Sequence, residues 1–362
     1  MFYHRTLDLD GHTFGGVEAI LDSVVSSLVD NPDRTFVYAD MAFFVKWWQE
    51  LHEDSKAVVR QLVQQGRFEF TGGGIVQHDE ANSHYSGMVD QMSLGMRFLQ
   101  QEFGHTPRIA WQMGLATAAR SLFSSPWAAL MHSFLAGPPG LTWFFEHHSG
   151  HGMADSIKDD PETGGYNVQE MVDTFVQKAM EWQNFVGGTD VYFFMGSDFT
   201  HSNARMWFNN VDKMIHYVNK DGRVNAFYST PSQYLAAKRA TQGLQLPLKT
   251  DDFFPYCANA AGTDYWTGYF TSRPNLKAQV RRGWALLRAI HQVEVLAQLQ
   301  PGSRQLATSK GLQYQGQQEA SETVKLGQKL APDNDPAALE FALATSLHHD
   351  GITGTQVLKA QA

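Results

Sequence analysis

The chain has a single cysteine, Cys257, among its 362 residues, so no intrachain disulfide is possible. It contains no Asn-Xaa-Ser/Thr acceptor, and nothing marks a glycosylated, disulfide-stapled secreted framework. No stretch is apolar over the length a membrane span needs, and Met1-Phe2-Tyr3-His4-Arg5 lacks the apolar core of a signal peptide. There is no Lys/Arg-rich run, and the net charge is −9, which argues against nucleic acid or an anionic membrane as partner. Repeats and low-complexity tracts are absent apart from a Gln/Gly/Ser-rich stretch at 300–320. The chain is rich in apolar side chains, 43% in all, enough to bury a large core.

Helical and strand patterns alternate through the first two thirds. Val17, Ile20, Leu21, Val24 and Leu28 share one helical face, and Asn31-Pro32 ends that helix. Strand-like runs are expected at Thr35 to Ala39, Arg67 to Phe70, Ile109 to Trp111, Val191 to Met195 and Val224 to Tyr228. Between them lie helical patterns at Phe43, Phe44, Trp47 and Trp48, at Val89, Met92, Met96, Leu99 and Phe103, and at Trp207 to Ile215. Thr230-Pro231 supplies an N-cap and a first-turn proline for another helix. Such alternation implies a parallel α/β sheet or barrel with its ligand site beyond the strand C-termini. After Pro255 the pattern becomes helical, with one long helix at Pro274 to Leu299, so we expect domains at 1–255 and 256–362.

Three segments hold polar residues where such a domain would place its chemistry. Asp198 follows the run Tyr192-Phe193-Phe194-Met195; a carboxylate so flanked is either a desolvated general acid or the cap of the next helix. His348-His349-Asp350-Gly351 closes a helix that begins at Asp335-Pro336, and suits a metal ligand with a charged neighbour or a His pair on the helix dipole. Asp264 to Pro274 interleaves aromatics with polar residues, which fits stacking on a sugar face or ordinary core packing.

Taken together, these segments resemble the lysosomal-type α-mannosidases of glycoside hydrolase family 38. So do Arg34 to Trp48, Gly66 to Tyr85, Met88 to Gly104, Gly196 to Asn219 and Asp251 to Pro274, in collinear order. The resemblance implies a barrel-like parallel β/α domain, then a partial three-helix bundle. It also implies retaining hydrolysis of terminal α-mannose, with zinc orienting the sugar's 2- and 3-hydroxyls. Asp198 matches the acid/base, His349 a zinc ligand, Asp350 a residue that hydrogen-bonds the sugar, and Trp266 the aromatic platform beneath it. A mannose-containing oligosaccharide is the implied partner, and the lysosome or endomembrane lumen the implied address.

The departures from the family point the other way. The family's nucleophile, also a zinc ligand, lies shortly after a Trp that matches Trp111, yet no Asp or Glu occurs between Met113 and Phe145. The His-Xaa-His-Xaa-Asp motif aligns ahead of His12-Thr13-Phe14-Gly15-Gly16, which has no Asp at that spacing. One surviving ligand is too few for a zinc centre, and Glu146, His147, His148 and His151 follow no ligand spacing of a known motif. The family's β-sandwich domains lie beyond the point where the sequence ends, so the bundle's apolar faces would call for a second chain. The expectations are therefore an impaired α-mannosidase homologue, a piece of an active one, or a mannose-binding or scaffolding pseudoenzyme.

Overall fold

The computed structural model describes residues 3–7, 13–79, 82, 84–111, 142–143, 156–162, 164–196, 200–244, 265, 267–299 and 336–355. Strand β1 (Arg5–Leu7) pairs antiparallel with β2 (Thr13–Gly15) and leads into α1 (Val17–Asp30). Leu21, Val24 and Leu28 of α1 are fully buried, as its spacing requires. Strand β3 (Phe36–Tyr38), helices α2 (Met41–Glu50) and α3 (Glu53–Gln64), and strand β4 (Phe68–Phe70) form a parallel crossover unit. Phe36 registers with Phe68 and Tyr38 with Phe70. Phe44 of α2 fills the space over this pair, edge-on to Phe70 at 4.9 Å, and an aromatic core of Trp48, Phe68 and Phe103 surrounds it.

Helix α4 (Tyr85–Phe103) packs differently from its apolar spacing. Val89 is exposed and Met92 and Met96 only half-buried, while Met88, Gln91, Leu94, Phe98 and Leu99 face inward with Gly87 and Gly95. Close approach is the reason. A Cβ on Gly95 would collide with the backbone of Gly73 to Ile75, so the helix turns its small residues toward that loop.

Helix α5 (Val168–Val186) packs on α6 (Ala204–Asp221), whose Trp207, Val211 and Met214 are buried against it. A two-residue parallel pair, β5 (Thr142–Trp143) with β6 (Phe194–Met195), accompanies them. Helix α7 (Pro231–Ala240) starts with a complete capping box between Thr230 and Gln233.

The fold is thus mixed helix and small sheet, but among the described residues the strands form three separate two-stranded sheets rather than one barrel. Two expected strands are missing. Val224 to Tyr228 is irregular because the Asn219 amide takes both ladder groups of Ala226, at 2.7 and 2.8 Å. Ile109 to Trp111 runs beside the Gly72 loop as irregular chain, with Ile109 O accepting the Gly72 N–H at 2.8 Å.

Helices α8 (Pro274–Leu299) and α9 (Pro336–Ser346) complete the described chain. α9 lies against both α8 and α4, and Val280, Trp284, Leu287, Leu343 and Leu347 join the core built by β3, β4 and α1–α4. The C-terminal helices are therefore seated on the N-terminal elements, which brings the turn after α9 to the loop after β4. No described helix is long and apolar enough to cross a membrane.

Candidate functional site

Beyond β4 the chain leaves the sheet as the glycine-rich loop Thr71 to Ile75 and continues through Val76 to Asp79, where it meets the turn after α9. His78 and His348 form an antiparallel bridge. The Asp79 N–H donates to Leu347 O at 2.8 Å, and the His349 N–H to Gln77 O at 3.2 Å. The turn itself is held by the Gly351 and Ile352 N–H groups, both donating to His348 O, and by the Thr353 hydroxyl on His349 O. Two segments some 270 residues apart in sequence thus form one short two-stranded splint.

His348, His349 and Asp350 bring their donor atoms within 4.8 Å of one another, and all three are half-buried. Their hydrogen bonds decide what each can offer. His349 Nδ1 lies 2.8 Å from the Gln77 carbonyl, an acceptor only, so Nδ1 carries the proton and Nε2 keeps its lone pair. His348 is the reverse. Its Nδ1 accepts the Asp350 N–H at 3.1 Å, so in the neutral ring the proton is on Nε2. Asp350 Oδ1 accepts the Thr355 hydroxyl at 2.6 Å, which leaves Oδ2. Among the described residues, then, two groups of this cluster present lone pairs: His349 Nε2 and Asp350 Oδ2. A zinc centre needs at least three protein ligands, so the described donor set does not complete one.

Behind the splint the support is polar and buried. Gln91, fully buried on α4, accepts the Val76 N–H through Oε1 at 3.1 Å and meets His78 Nδ1 through Nε2 at 3.0 Å. Burial, with His349 adding to it, pushes His78 down to about 4, so this ring is neutral at physiological pH. Asp40 takes the Gln77 N–H at 2.7 Å and the Gln77 side-chain amide at 3.2 Å. None of Asp40, Gln77, His78 and Gln91 stood out in the sequence. The one legible signal was Gln91, a polar residue on the small-residue stripe of α4.

The aromatic segment is tied to the same turn. Arg273 donates to Gly351 O at 2.8 Å and adopts a left-handed φ of 48°, with Gly354 lying over its guanidinium. Lys277 caps the 3-10 turn Thr267–Phe270 by donating to the carbonyls of Tyr269 and Phe270. Trp266 itself, like Asp198 and the residues 144–155 that hold the other His group, lies outside the described residues. His349 and Asp350, neighbours in sequence, lie in one cluster with His348. Trp111, just ahead of the expected nucleophile position, packs edge-on to Phe194 at 4.9 Å, next to the strand end that leads to Asp198.

Comparison with known proteins bears on the family of the chain. The model of the Glycosyl hydrolases family 38 N-terminal domain matches residues 10–114 and 141–259, and that of the Alpha mannosidase middle domain matches 264–362. A probable alpha-mannosidase of Arabidopsis thaliana is 36% identical over 386 residues, covering 94% of this chain and 34% of the relative. Lysosomal alpha-mannosidases of Cavia porcellus and Homo sapiens are 36% and 34% identical, each over 94% of this chain, and 36% and 35% of their own lengths. The chain thus spans about a third of the length of the curated relatives it matches. The match breaks off at 114 and resumes at 141, across the carboxylate-free stretch after Met113. With matched family models along nearly all of its length and identities well above 30%, the chain belongs to glycosyl hydrolase family 38.

Proposed function

We propose that this chain recognises terminal α-mannosides through the family's site but hydrolyses them poorly or not at all. The observation that carries this reading is the interruption at 115–140: the family match fails there, and no Asp or Glu stands between Met113 and Phe145. A retaining glycosidase needs a second carboxylate about 5–5.5 Å from its acid/base to form the covalent intermediate. Asp198 remains to donate a proton, Asp350 Oδ2 and His349 Nε2 to receive sugar hydroxyls, and Trp266 to stack beneath the ring.

When bound, zinc in this family orients the sugar's 2- and 3-hydroxyls. Among the described residues His349 and Asp350 offer two donors and His348 is turned to the wrong tautomer, so this cluster does not complete a zinc centre. An acid acting without a nucleophile retains only positioning, and losing one member of such a unit costs several orders of magnitude in rate. The same reading gives a barrel-like domain over 1–255, the start of a helical bundle over 256–362, a mannose-containing oligosaccharide as partner, and a lysosomal or endomembrane address.

A second reading is favoured by the coverage of the relatives, a third of their length, and by the resumption of the match after 141. On that reading the sequence is a piece of a working α-mannosidase. A coding sequence with an Asp shortly after Trp111 would establish it. The direct test is release of the aryl group from an aryl α-mannoside by purified chain with zinc, between about pH 4 and 7. Turnover at the no-enzyme background is expected. Clear turnover that Asp198→Asn abolishes would refute the impairment and leave the family untouched.

A further inference from the structure

We infer that Asp40 is a positioning residue of the mannoside site: acting through Gln77, it holds the His349 ring with Nδ1 protonated and Nε2 presented as an acceptor for a sugar hydroxyl. The inference rests on the proposed recognition of α-mannosides for its second half only; the first half stands on hydrogen bonds within the chain.

The Gln77 carbonyl receives both the backbone N–H of His349, at 3.2 Å, and its ring Nδ1, at 2.8 Å. Ring tautomer and ring orientation are therefore set by where that one oxygen lies. Gln77 is in turn held by Asp40 at two points, its backbone N–H on Oδ1 at 2.7 Å and its side-chain amide on Oδ2 at 3.2 Å. A carboxylate that accepts two N–H groups from one residue fixes that residue's position and its rotation together. The N–H and C=O of Gln77 belong to successive peptide groups, so the effect is one of position rather than polarisation along a single amide. Gln91 fastens the neighbouring Val76 N–H and His78, and among the described residues Asp40 is the side chain that holds Gln77 itself.

A second observation shows that the carboxylate is committed to this task. Asp40 is the N-cap of α2, where an Asp ordinarily accepts an N–H of the first turn, yet it makes no such bond. The first two N–H groups of α2 instead donate to the loop, Met41 to Gly74 O at 3.1 Å and Ala42 to Ile75 O at 2.7 Å. The loop caps the helix, and the capping residue holds the loop's continuation. A local preference set aside with its cost met elsewhere is what a functional constraint leaves behind.

The experiment uses the full chain labelled with 15N-histidine at about pH 8, where imidazoles are neutral. Long-range 1H–15N correlations report each ring's tautomer, and the His349 signals are those lost in His349→Gln. The wild type is expected to show Nδ1–H at His349. Asp40→Ala should convert the ring to a mixture dominated by Nε2–H, and weaken binding of methyl α-mannoside by about threefold to tenfold, the worth of one neutral hydrogen bond. Asp40→Asn keeps an acceptor for the Gln77 N–H, and its amide can serve the Gln77 side chain after a flip, so it should restore both. Should Asp40→Ala fail to fold, Gln77→Ala removes one of the two bonds and should show the same conversion in part. An unchanged tautomer in the folded variants overturns the role of Asp40. A changed tautomer with unchanged mannoside affinity overturns the role of Nε2. A wild type that shows Nδ1–H but binds no mannoside overturns the recognition reading and leaves the positioning standing.

Discussion

Gly95→Ala should destabilise this protein, although alanine in a helix interior normally does the opposite. Gly95 lies within α4 on the face turned to the loop after β4. A Cβ there would stand 2.9 Å from the Gly74 carbonyl carbon and 2.9 Å from the Ile75 nitrogen, and closer still to the Gly73 oxygen. All three are backbone atoms, so no side-chain rotation relieves the contact. Non-bonded carbons rest at about 3.5–4.0 Å, and helix and loop must therefore separate by roughly 1 Å. Leu94, Phe98 and Leu99 on the same stripe then lose close packing. Over-packing of this kind costs about 3 kcal/mol at the upper end, and the helix preference of alanine offsets about 1, leaving a net loss of about 2 kcal/mol.

The assay is the urea midpoint followed by circular dichroism and tryptophan fluorescence, with Gly104→Ala beside it. Gly104 has a φ of 62°, and a methyl added there would meet nothing within 4 Å, so its cost is the left-handed backbone alone, about 1–2 kcal/mol. The two variants differ further at the site. Moving Gly73 to Ile75 shifts the stem of Gln77, so Gly95→Ala should speed amide exchange at His349, whereas Gly104→Ala should not. A Gly95→Ala protein as stable as the wild type would refute the close-approach argument, and unchanged exchange at His349 would refute the coupling.

Two further outcomes follow from the site. His78 titrates near 4 in the fold and near 6.5 when unfolded, so its contribution is whole above about pH 6.5 and is lost as pH falls toward 4, where only the unfolded chain takes the proton. The shift corresponds to about 3 kcal/mol at most, and burial lowers His201 in the same sense. Thermal midpoints between those pH values should fall for the wild type and fall less for His78→Gln; equal slopes would show that His78 is not the group responsible. The chain should not retain stoichiometric zinc, because His348 Nδ1 is already an acceptor. Elemental analysis after dialysis against zinc, showing one tightly held ion per chain, would overturn that reading of the tautomers.

Much that is local could be read from the residues alone. α1 buries Leu21, Val24 and Leu28 where a 3.6-residue repeat puts them, and Thr230 and Pro231 start α7 by local capping chemistry, which Gln233 completes in the structure. The family, too, was legible, since motif order survives divergence. Where a partner came from elsewhere in the chain, the residues misled. Val224 to Tyr228 has strand-forming side chains, but the Asn219 amide occupies the backbone groups a ladder would use. The spacing of α4 suggested Val89 and Met92 as its buried face, but the nearest backbone, the Gly73 to Ile75 loop, admits only Gly95 there.

The site shows the same division. The residue types at 348–350 declare that they can ligate or accept, because side-chain chemistry is a property of each residue. Which lone pair each of them presents is not. His348 and His349 are adjacent and chemically identical, yet they carry opposite tautomers because one faces the Asp350 N–H and the other the Gln77 carbonyl. That difference is decided by an oxygen 272 residues away in sequence, held by an aspartate a further 37 residues from it. A hydrogen bond depends on position to within a few tenths of an ångström. Only the packing of α9 against α4 and α8 brings those groups to such distances.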